Sequence, residues 1–236
     1  MADAASGLSR SVEDYLKVIY SLCEPGEVAS TSSIAEAMDV QPASVTGMVK
    51  RLAEAGYVEH VPYRGVQLTD AGTRTALRIL RRHRILESYL TELLGYPWED
   101  VHQEAERLEH AASDELIERM AAALQNPSHD PHGAPIPTPA GEIEATDSHT
   151  LAELATGDEA QIRAIRDDDS EGLLAAEAAG LLPGTRIRVQ GRTLTPPVLK
   201  VEVEGTSPEV LEVTLKVAQR VYVIPIPSGT GEQVAR

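Results

Sequence analysis

The sequence predicts an α+β protein, helical through its first half and β-rich towards its C-terminal end, and three observations carry that expectation. Apolar residues recur at helical spacing as far as about Leu124. The stretch Asn126 to Thr150 then holds Pro127, Pro131, Pro135, Pro137 and Pro139, a density that no helix or central strand tolerates. Beyond it, short β-branched runs such as Ile187 to Val189, Val198 to Val203 and Val221 to Ile226 alternate with Gly and Pro turns.

With 236 residues, 42% of them hydrophobic, the chain is long enough for two or three small domains. Phe is absent and aromatics make up 3%, so the cores must be aliphatic. Met1 to Arg10 lacks the apolar segment of a signal peptide, and no eighteen apolar residues run together, so a soluble, cytoplasmic protein is expected. Cys23 is the only cysteine, which excludes an internal disulfide and a thiolate metal site within one chain; a small buried hydrophobe is the expected role. The net charge of -16 argues against indiscriminate nucleic-acid binding, but its distribution is uneven. Between Gln41 and Arg84, Lys50, Arg51, Arg64, Arg74, Arg78, Arg81, Arg82 and Arg84 face only Glu54, Glu59 and Asp70, a local excess of five positive charges.

Ser9 or Ser11 can cap a first helix whose apolar face is Val12, Leu16, Ile19, Tyr20 and Cys23, ending before Pro25-Gly26. A short helix follows from about Ser32 to Met38. After Asp39-Val40-Gln41, Pro42 opens a further helix with the stripe Val45, Met48, Val49 and Leu52, reaching Gly56. Helix, three-residue turn and helix is the spacing of a helix-turn-helix. Two strands, Tyr57 to Val61 and Gly65 to Leu68, joined by Pro62-Tyr63-Arg64, make a hairpin with a basic tip, and the combination reads as a winged helix. Thr69-Asp70 then caps a long helix to about Leu94, and helices over Trp98 to His110 and Ser113 to Leu124 complete the first half.

On the second helix of that motif Ala43, Ser44, Thr46, Gly47 and Lys50 lie off the apolar stripe. Small and hydroxylated side chains allow close approach to base edges, while Gln41, Pro42 at the helix start, Lys50 and Arg64 at the wing suit base or phosphate contacts. Solvated helix positions would show the same residue types one by one; the local positive charge favours the DNA-reading set.

The richest chemistry lies in Val101 to His110. On a helix His102, Glu106, Glu109 and His110 fall on one stripe; upstream, His83 and Glu87 are one turn apart, and the first helix offers Asp14. Such a stripe can be a wet helix face. Beside a helix made apolar by Leu86, Tyr89, Leu90, Leu93 and Leu94, however, the acids crowd a seam, and like charges there repel unless protonated or metallated. Oxygen and imidazole donors without sulfur favour manganese or ferrous iron.

Five ordered motifs resemble the diphtheria toxin repressor family of iron- and manganese-dependent regulators. They are Val12-Glu13-Asp14-Tyr15-Leu16 with Ile19-Tyr20, Val40-Gln41-Pro42-Ala43-Ser44-Val45-Thr46, His83-Arg84-Ile85-Leu86-Glu87, Val101-His102 to Glu109-His110, and Asp130-Pro131-His132-Gly133-Ala134-Pro135-Ile136-Pro137. The resemblance spans about Ser11 to Ile226. It implies a primary metal site on Asp14, Glu106, Glu109 and His110 and an ancillary site on His83, Glu87 and His102, with Asp169 and Glu171 as the nearest candidates for a ligand lent by the last domain. Iron-type members carry methionine and cysteine at the positions of Asp14 and Glu106, so the carboxylates here point to Mn2+, with Fe2+ the alternative. Manganese-type members with two adjacent ions have a third acid where this chain has Lys17.

The same resemblance implies a three-part architecture. A winged-helix DNA-binding domain (1–73) would be followed by a helical dimerisation and metal-binding domain (74–126), a Pro-rich linker (127–149) and an SH3-like β-barrel with a short tail (150–236), with Gly180-Leu181-Leu182-Pro183-Gly184 as a barrel turn. The expected function is therefore a homodimeric, metal-dependent repressor that binds operator DNA of metal-homeostasis genes, with no enzymatic activity and no membrane partner. Two other readings of the same residues are a helical-bundle metalloenzyme or ferroxidase, and a DNA-binding regulator whose acidic stripe is structural.

Overall fold

The computed structural model describes residues 8–23, 28–61, 64–146, 149–167, 170–205 and 210–227. Its elements follow the apolar periodicities. Helix α1 (Arg10–Leu22) buries Val12, Tyr15, Leu16 and Ile19; its N-cap is Ser9, whose side chain makes no capping bond. Helix α2 (Thr31–Ala37) is capped by Ser30, whose hydroxyl accepts from the Ser33 amide at 3.0 Å. Asp39, at φ 50°, turns the chain into α3 (Pro42–Glu54), which turns Val45, Val49 and Leu52 inward.

Strands β1 (Val58–Val61) and β2 (Gly65–Leu68) pair antiparallel, Val58 opposite Leu68 and Val61 opposite Gly65. The far edge of β2 is taken by Ala29, which exchanges two 2.9 Å backbone hydrogen bonds with Val66. That pairing requires glycine at 65, because a Cβ there would lie 2.0 Å from the Ala29 carbonyl oxygen and φ is +132°. The aliphatic core of α1 to β2 includes Leu16, Ile19, Ile34, Val45, Leu52 and Val66, and Cys23 packs at its edge, half-buried, as a small hydrophobe would. Pro25, Gly26, Pro62 and Tyr63 lie outside the described residues.

Helix α4 (Asp70–Leu94) starts on the Thr69 hydroxyl, which accepts from the Gly72 amide at 3.1 Å. It is followed by α5 (Val101–Leu108) and by α6 (Asp114–Ala123), capped by Ser113. The chain divides into two compact units, one of residues 1–86, 105–126 and 136–144, the other of 87–104, 127–135 and 145–236.

In the second unit β3 (Glu159–Ile165), β4 (Arg186–Leu194), β5 (Pro197–Val203), β6 (Leu211–Thr214) and β7 (Val221–Ile226) form one antiparallel sheet in the order β6-β5-β4-β3-β7. Helices α7 (Ser170–Ala178) and α8 (Leu215–Ala218) accompany it. Alternating inward residues of the strands make its core, with Leu173 of α7 and Leu181 of the Gly180 to Gly184 turn wholly buried.

Among the described residues the proline-rich stretch contains no helix or strand, in keeping with its composition, yet it is no free tether. Asp130, His132, Gly133, Pro135, Ile136 and Pro137 are buried. Asp130 Oδ1 accepts from the amides of His132 and Ala134, both at 2.9 Å, closing a tight loop. The Ile165 amide donates to the His132 carbonyl at 2.9 Å, and Gly133, at φ +84°, passes so close to β3 that a Cβ would lie 2.1 Å from the Arg163 carbonyl oxygen.

Candidate metal centres and nucleic-acid interface

In the first unit, α1 and the end of α5 supply a cluster of acids and imidazoles. Glu109, in the turn that continues α5, is wholly buried. Its Oε2 lies 2.6 Å from His83 Nδ1 and its Oε1 2.7 Å from the Lys17 ammonium, which also bonds Glu106. Burial alone would raise the Glu109 carboxyl, but His83 and Lys17 outweigh it and hold it below the ordinary glutamate value. For Lys17 burial works against the charged form, and Glu109 and Glu106 reverse the sign, so its ammonium is held above the usual lysine value. Asp14 lies 2.8 Å from His110 Nε2, and its carboxyl is raised, chiefly by burial, against the lowering effect of His110.

The orientation of His110 is set from behind. Its Nδ1 lies 2.6 Å from Glu13 Oε2, so the ring turns Nε2 towards Asp14 Oδ1 and, at 3.3 Å, Glu109 Oε1. Carboxylate, imidazole and a free ring nitrogen aimed at further carboxylates is the arrangement by which proteins present histidine to a cation. Arg82 stands 3.8 Å from the other Glu13 oxygen and donates twice to Asp114 Oδ1, at 3.0 and 2.7 Å. Among the described residues, ligand atoms of Asp14, Glu109 and His110 come within 4.8 Å of one another, as do those of His83, Glu106 and Glu109. His83 is thus in contact with Glu109.

The second unit holds the remaining donors. Glu87, wholly buried on α4, places Oε1 3.1 Å from His102 Nδ1, which lies 3.5 Å from Asp167 Oδ2. His132 Nδ1 lies 3.8 Å from Glu87 Oε2 and 3.9 Å from Asp167 Oδ2. Burial lowers both imidazoles, but the acids dominate: Asp167 and Glu87 push His102 up to about 10, and Glu87, Asp167 and Asp130 push His132 to about 9. Among the described residues the acid that joins Glu87 and His102 is Asp167. Asp169 lies outside the described residues, and Glu171 is exposed in the first turn of α7, in none of the ligand groups among the described residues.

The stripe expected on α5 accordingly divides, His102 going with Glu87 and Asp167, and Glu106, Glu109 and His110 with Asp14. Sequence reasoning missed Glu13, Asp167, Asp130 and His132 as participants. Glu13 was within reach, since the residue next to Asp14 on a helix points about a quarter-turn away and can serve the neighbouring histidine.

On α3 the apolar residues face inward, whereas Gln41, Pro42, Ala43, Ser44, Thr46, Gly47 and Lys50 are all exposed, as is Arg64 of the hairpin. The Thr46 hydroxyl donates to the Pro42 carbonyl at 3.1 Å, leaving its methyl outward. No helix of the described residues is long and apolar enough to cross a membrane.

A helix-turn-helix with a hairpin wing, followed by helices bearing buried carboxylates and imidazoles at cation-binding spacing, defines a metal-dependent DNA-binding regulator. Comparison with known proteins makes this specific. Residues 7–66 match the iron-dependent repressor N-terminal DNA-binding domain, 69–138 the iron-dependent repressor metal-binding and dimerisation domain, and 149–225 the FeoA domain. The iron-dependent repressor IdeR of Mycobacterium tuberculosis is 32% identical over 195 residues, 76% of this chain and 84% of that protein. The HTH-type transcriptional regulator MntR of Oceanobacillus iheyensis is 41% identical over 110 residues, 47% of this chain and 74% of that one. Among solved structures, a manganese-dependent transcriptional repressor in complex with manganese superposes with a TM-score of 0.85 at 36% identity, covering 91% of this chain and 100% of the other. The chain belongs to the iron-dependent repressor family, and it is a metal-dependent transcriptional repressor rather than an enzyme. Its C-terminal sheet is the SH3-like FeoA domain.

Proposed function

We propose that this repressor responds to Mn2+, with Asp14, Glu106, Glu109 and His110 as ligands of the activating ion and Glu87, His102 and Asp167 as ligands of a second. We further propose that it acts as a homodimer on operator DNA controlling metal-homeostasis genes. The observation that carries the reading is the Glu13-oriented His110, whose Nε2 is buried beside Asp14 and Glu109. The donors are oxygen and imidazole with no sulfur, a set that favours manganese or ferrous iron over thiolate-seeking metals. The structure of a manganese-dependent repressor at TM-score 0.85 supports the first, the identity to IdeR the second. Residues 1–73 are assigned to DNA binding, 74–126 to dimerisation and metal binding, and 150–236 to the SH3-like domain.

A bound divalent ion supplies concentrated positive charge and directional coordination. The chain's own residues do the rest. Asp14 sits on α1, which packs against α2 of the helix-turn-helix, while Glu106, Glu109 and His110 belong to α5 and its final turn, so drawing these donors together fixes α1 against α5. Glu13 keeps His110 in the tautomer that leaves Nε2 available. Lys17 offsets part of the charge on Glu106 and Glu109 but cannot neutralise Asp14 as well. Moving a regulator from mostly off to mostly on needs about 5 kcal/mol of differential binding, within reach of several charged ligands in each subunit. Gln41, Pro42, Ala43, Ser44, Thr46, Gly47 and Lys50 then read DNA from α3, with Arg64 on a phosphate.

The test is DNA affinity, measured on a duplex selected from a random library, with Mn2+, anaerobic Fe2+, Zn2+ or chelator. Mn2+ is expected to raise affinity most, and Glu109→Ala to abolish the increase while the chain stays folded. Undiminished activation in that variant would remove the primary-site assignment, and a stronger response to Fe2+ would assign the sensor to iron.

A further inference from the structure

Lys17 lies inside the acidic cluster of the first unit, where the metal-responsive reading gives it only a passive part. It stands three residues after Asp14 on α1, so the two side chains leave the same face of the helix. Elsewhere on α1, Leu16 and Ile19 enter the core shared with Ile34 of α2, Val45 and Leu52 of α3 and Val66 of the hairpin. Towards the end of α5, Lys17 donates to Glu109 Oε1 at 2.7 Å and to Glu106 Oε1. The lysine side chain is 16% exposed and that of Glu109 is wholly buried, so water competes little for these charge-assisted bonds.

The charges around it show what the ammonium does. Asp14 on α1 and Glu106 on α5 repel each other across the seam, and Lys17 attracts both. Ligand atoms of His83, Glu106 and Glu109 come within 4.8 Å of one another, a grouping that could hold an ion, and the ammonium already answers both of its carboxylates. Glu13 is met by Arg82 at 3.8 Å, while Asp14 faces His110 and the exposed Arg10. The acids of α5 are therefore held to α1 with no metal bound.

We propose that Lys17 is a built-in tether, whose ammonium ties α1 to Glu106 and Glu109 in the metal-free chain and so maintains specific DNA affinity in the absence of metal. The inference rests on the metal-responsive reading and adds to it a lower bound on repression. Because α1 shares its core with α3, fixing α1 fixes the helix assigned to DNA. Apparent DNA affinity scales with the fraction of chains in the competent arrangement, and the tether holds that fraction up. An ammonium brings one charge and no fixed coordination geometry, and it leaves Asp14 and His110 to the ion, so metal still raises affinity above this level.

The test uses the full-length chain, a duplex selected from a random library and an unrelated duplex. Competition between Lys17 and an ion for the same oxygens acts only when the ion is present, so binding measured in chelator reports the tether alone. Lys17→Met keeps the length of the side chain and removes its charge. It should lower metal-free affinity for the selected duplex roughly tenfold and widen the Mn2+-induced increase. Hydrogen exchange of the α1 amides should quicken in the variant in chelator and return to the rate of the unaltered chain with Mn2+, a recovery that general misfolding would not show. Equal metal-free affinity in the two chains, or no preference of the unaltered chain for the selected duplex in chelator, overturns the proposal, as does unchanged α1 exchange. Should Lys17→Met fail to fold for want of a counter-charge to Glu109, Lys17→Met/Glu109→Gln removes both charges of the buried pair. Metal-free affinity must fall in that double variant too, and affinity equal to that of the unaltered chain overturns the tether. If Mn2+ raises DNA affinity while Lys17→Met changes nothing in chelator, only this inference fails; if Mn2+ leaves the DNA affinity of the unaltered chain unchanged, the proposed function fails instead.

Discussion

Lys17 bears directly on the proposed metal centre, because its ammonium lies between Glu106 and Glu109, whose oxygens a cation would otherwise share. Lys17 and Glu109 are both largely withdrawn from water, so removing the lysine leaves a buried carboxylate facing the imidazoles of His83 and His110 with no ammonium beside it. Breaking a buried pair in this way typically costs about 3–5 kcal/mol. Lys17→Gln should therefore lower the melting temperature of the chelator-treated protein and at the same time tighten Mn2+ binding by roughly tenfold or more, since one positive charge no longer competes for the same oxygens. Calorimetric melting and Mn2+ titration check the two signs together; weaker Mn2+ binding in the variant would show that Lys17 organises the site rather than competing for it.

His102 gives a second residue-level prediction. Its folded pKa of about 10 stands above the ordinary value of 6.5, because Asp167 and Glu87 overcome the opposing effect of burial. A group raised on folding stabilises most below its unfolded value and loses that contribution as pH rises through its folded one. In the metal-free protein the stabilising effect of His102 should be complete below pH 6.5 and lost by about pH 10. Melting curves in chelator over that range, compared with His102→Gln, should converge as pH rises; a constant gap would contradict the assignment.

At the scale of elements, the irregular segment between α6 and the β-domain behaves as a structural part. Its glycine at 133 combines a positive φ with backbone contact against β3, so Gly133→Ala faces both conformational and steric penalties. Strain of this kind costs about 1–3 kcal/mol, and the clash adds to it. The variant should melt several degrees lower, whereas Gly47→Ala on α3, where nothing lies within 4 Å of the added methyl, should melt no lower and should alter DNA preference instead. Equal melting of the two variants would mean that the loop relaxes away from β3.

At the scale of the whole molecule, a chain of net charge -16 must approach a polyanion through a small basic surface. Arg64, exposed at the hairpin, is part of that surface. Arg64→Ala should weaken selected and unrelated DNA alike and reduce the slope of log affinity against log salt by about one per subunit, because a lost cation changes counterion release whatever the base sequence. Ser44→Ala or Thr46→Ala should instead change the ranking of DNA sequences with little effect on the slope. An unchanged slope in Arg64→Ala would move the backbone contact elsewhere on the stretch from Lys50 to Arg84.

The sequence by itself determined the elements and the chemistry. Local periodicity places α1 to α6 within about three residues of their observed ends, Pro42 marks the start of α3, and the i, i+4 and i, i+7 spacings of acids and histidines point to a cation site, because each of these depends on neighbours in the chain. What the tertiary structure decided is which donors meet. The stripe on α5 splits between two clusters, Asp167 joins His102, Glu13 orients His110, Lys17 enters between two acids, and a proline-rich stretch delivers a buried histidine. Those pairings join residues dozens of positions apart, and helical spacing carries no information about which distant segment will close the site.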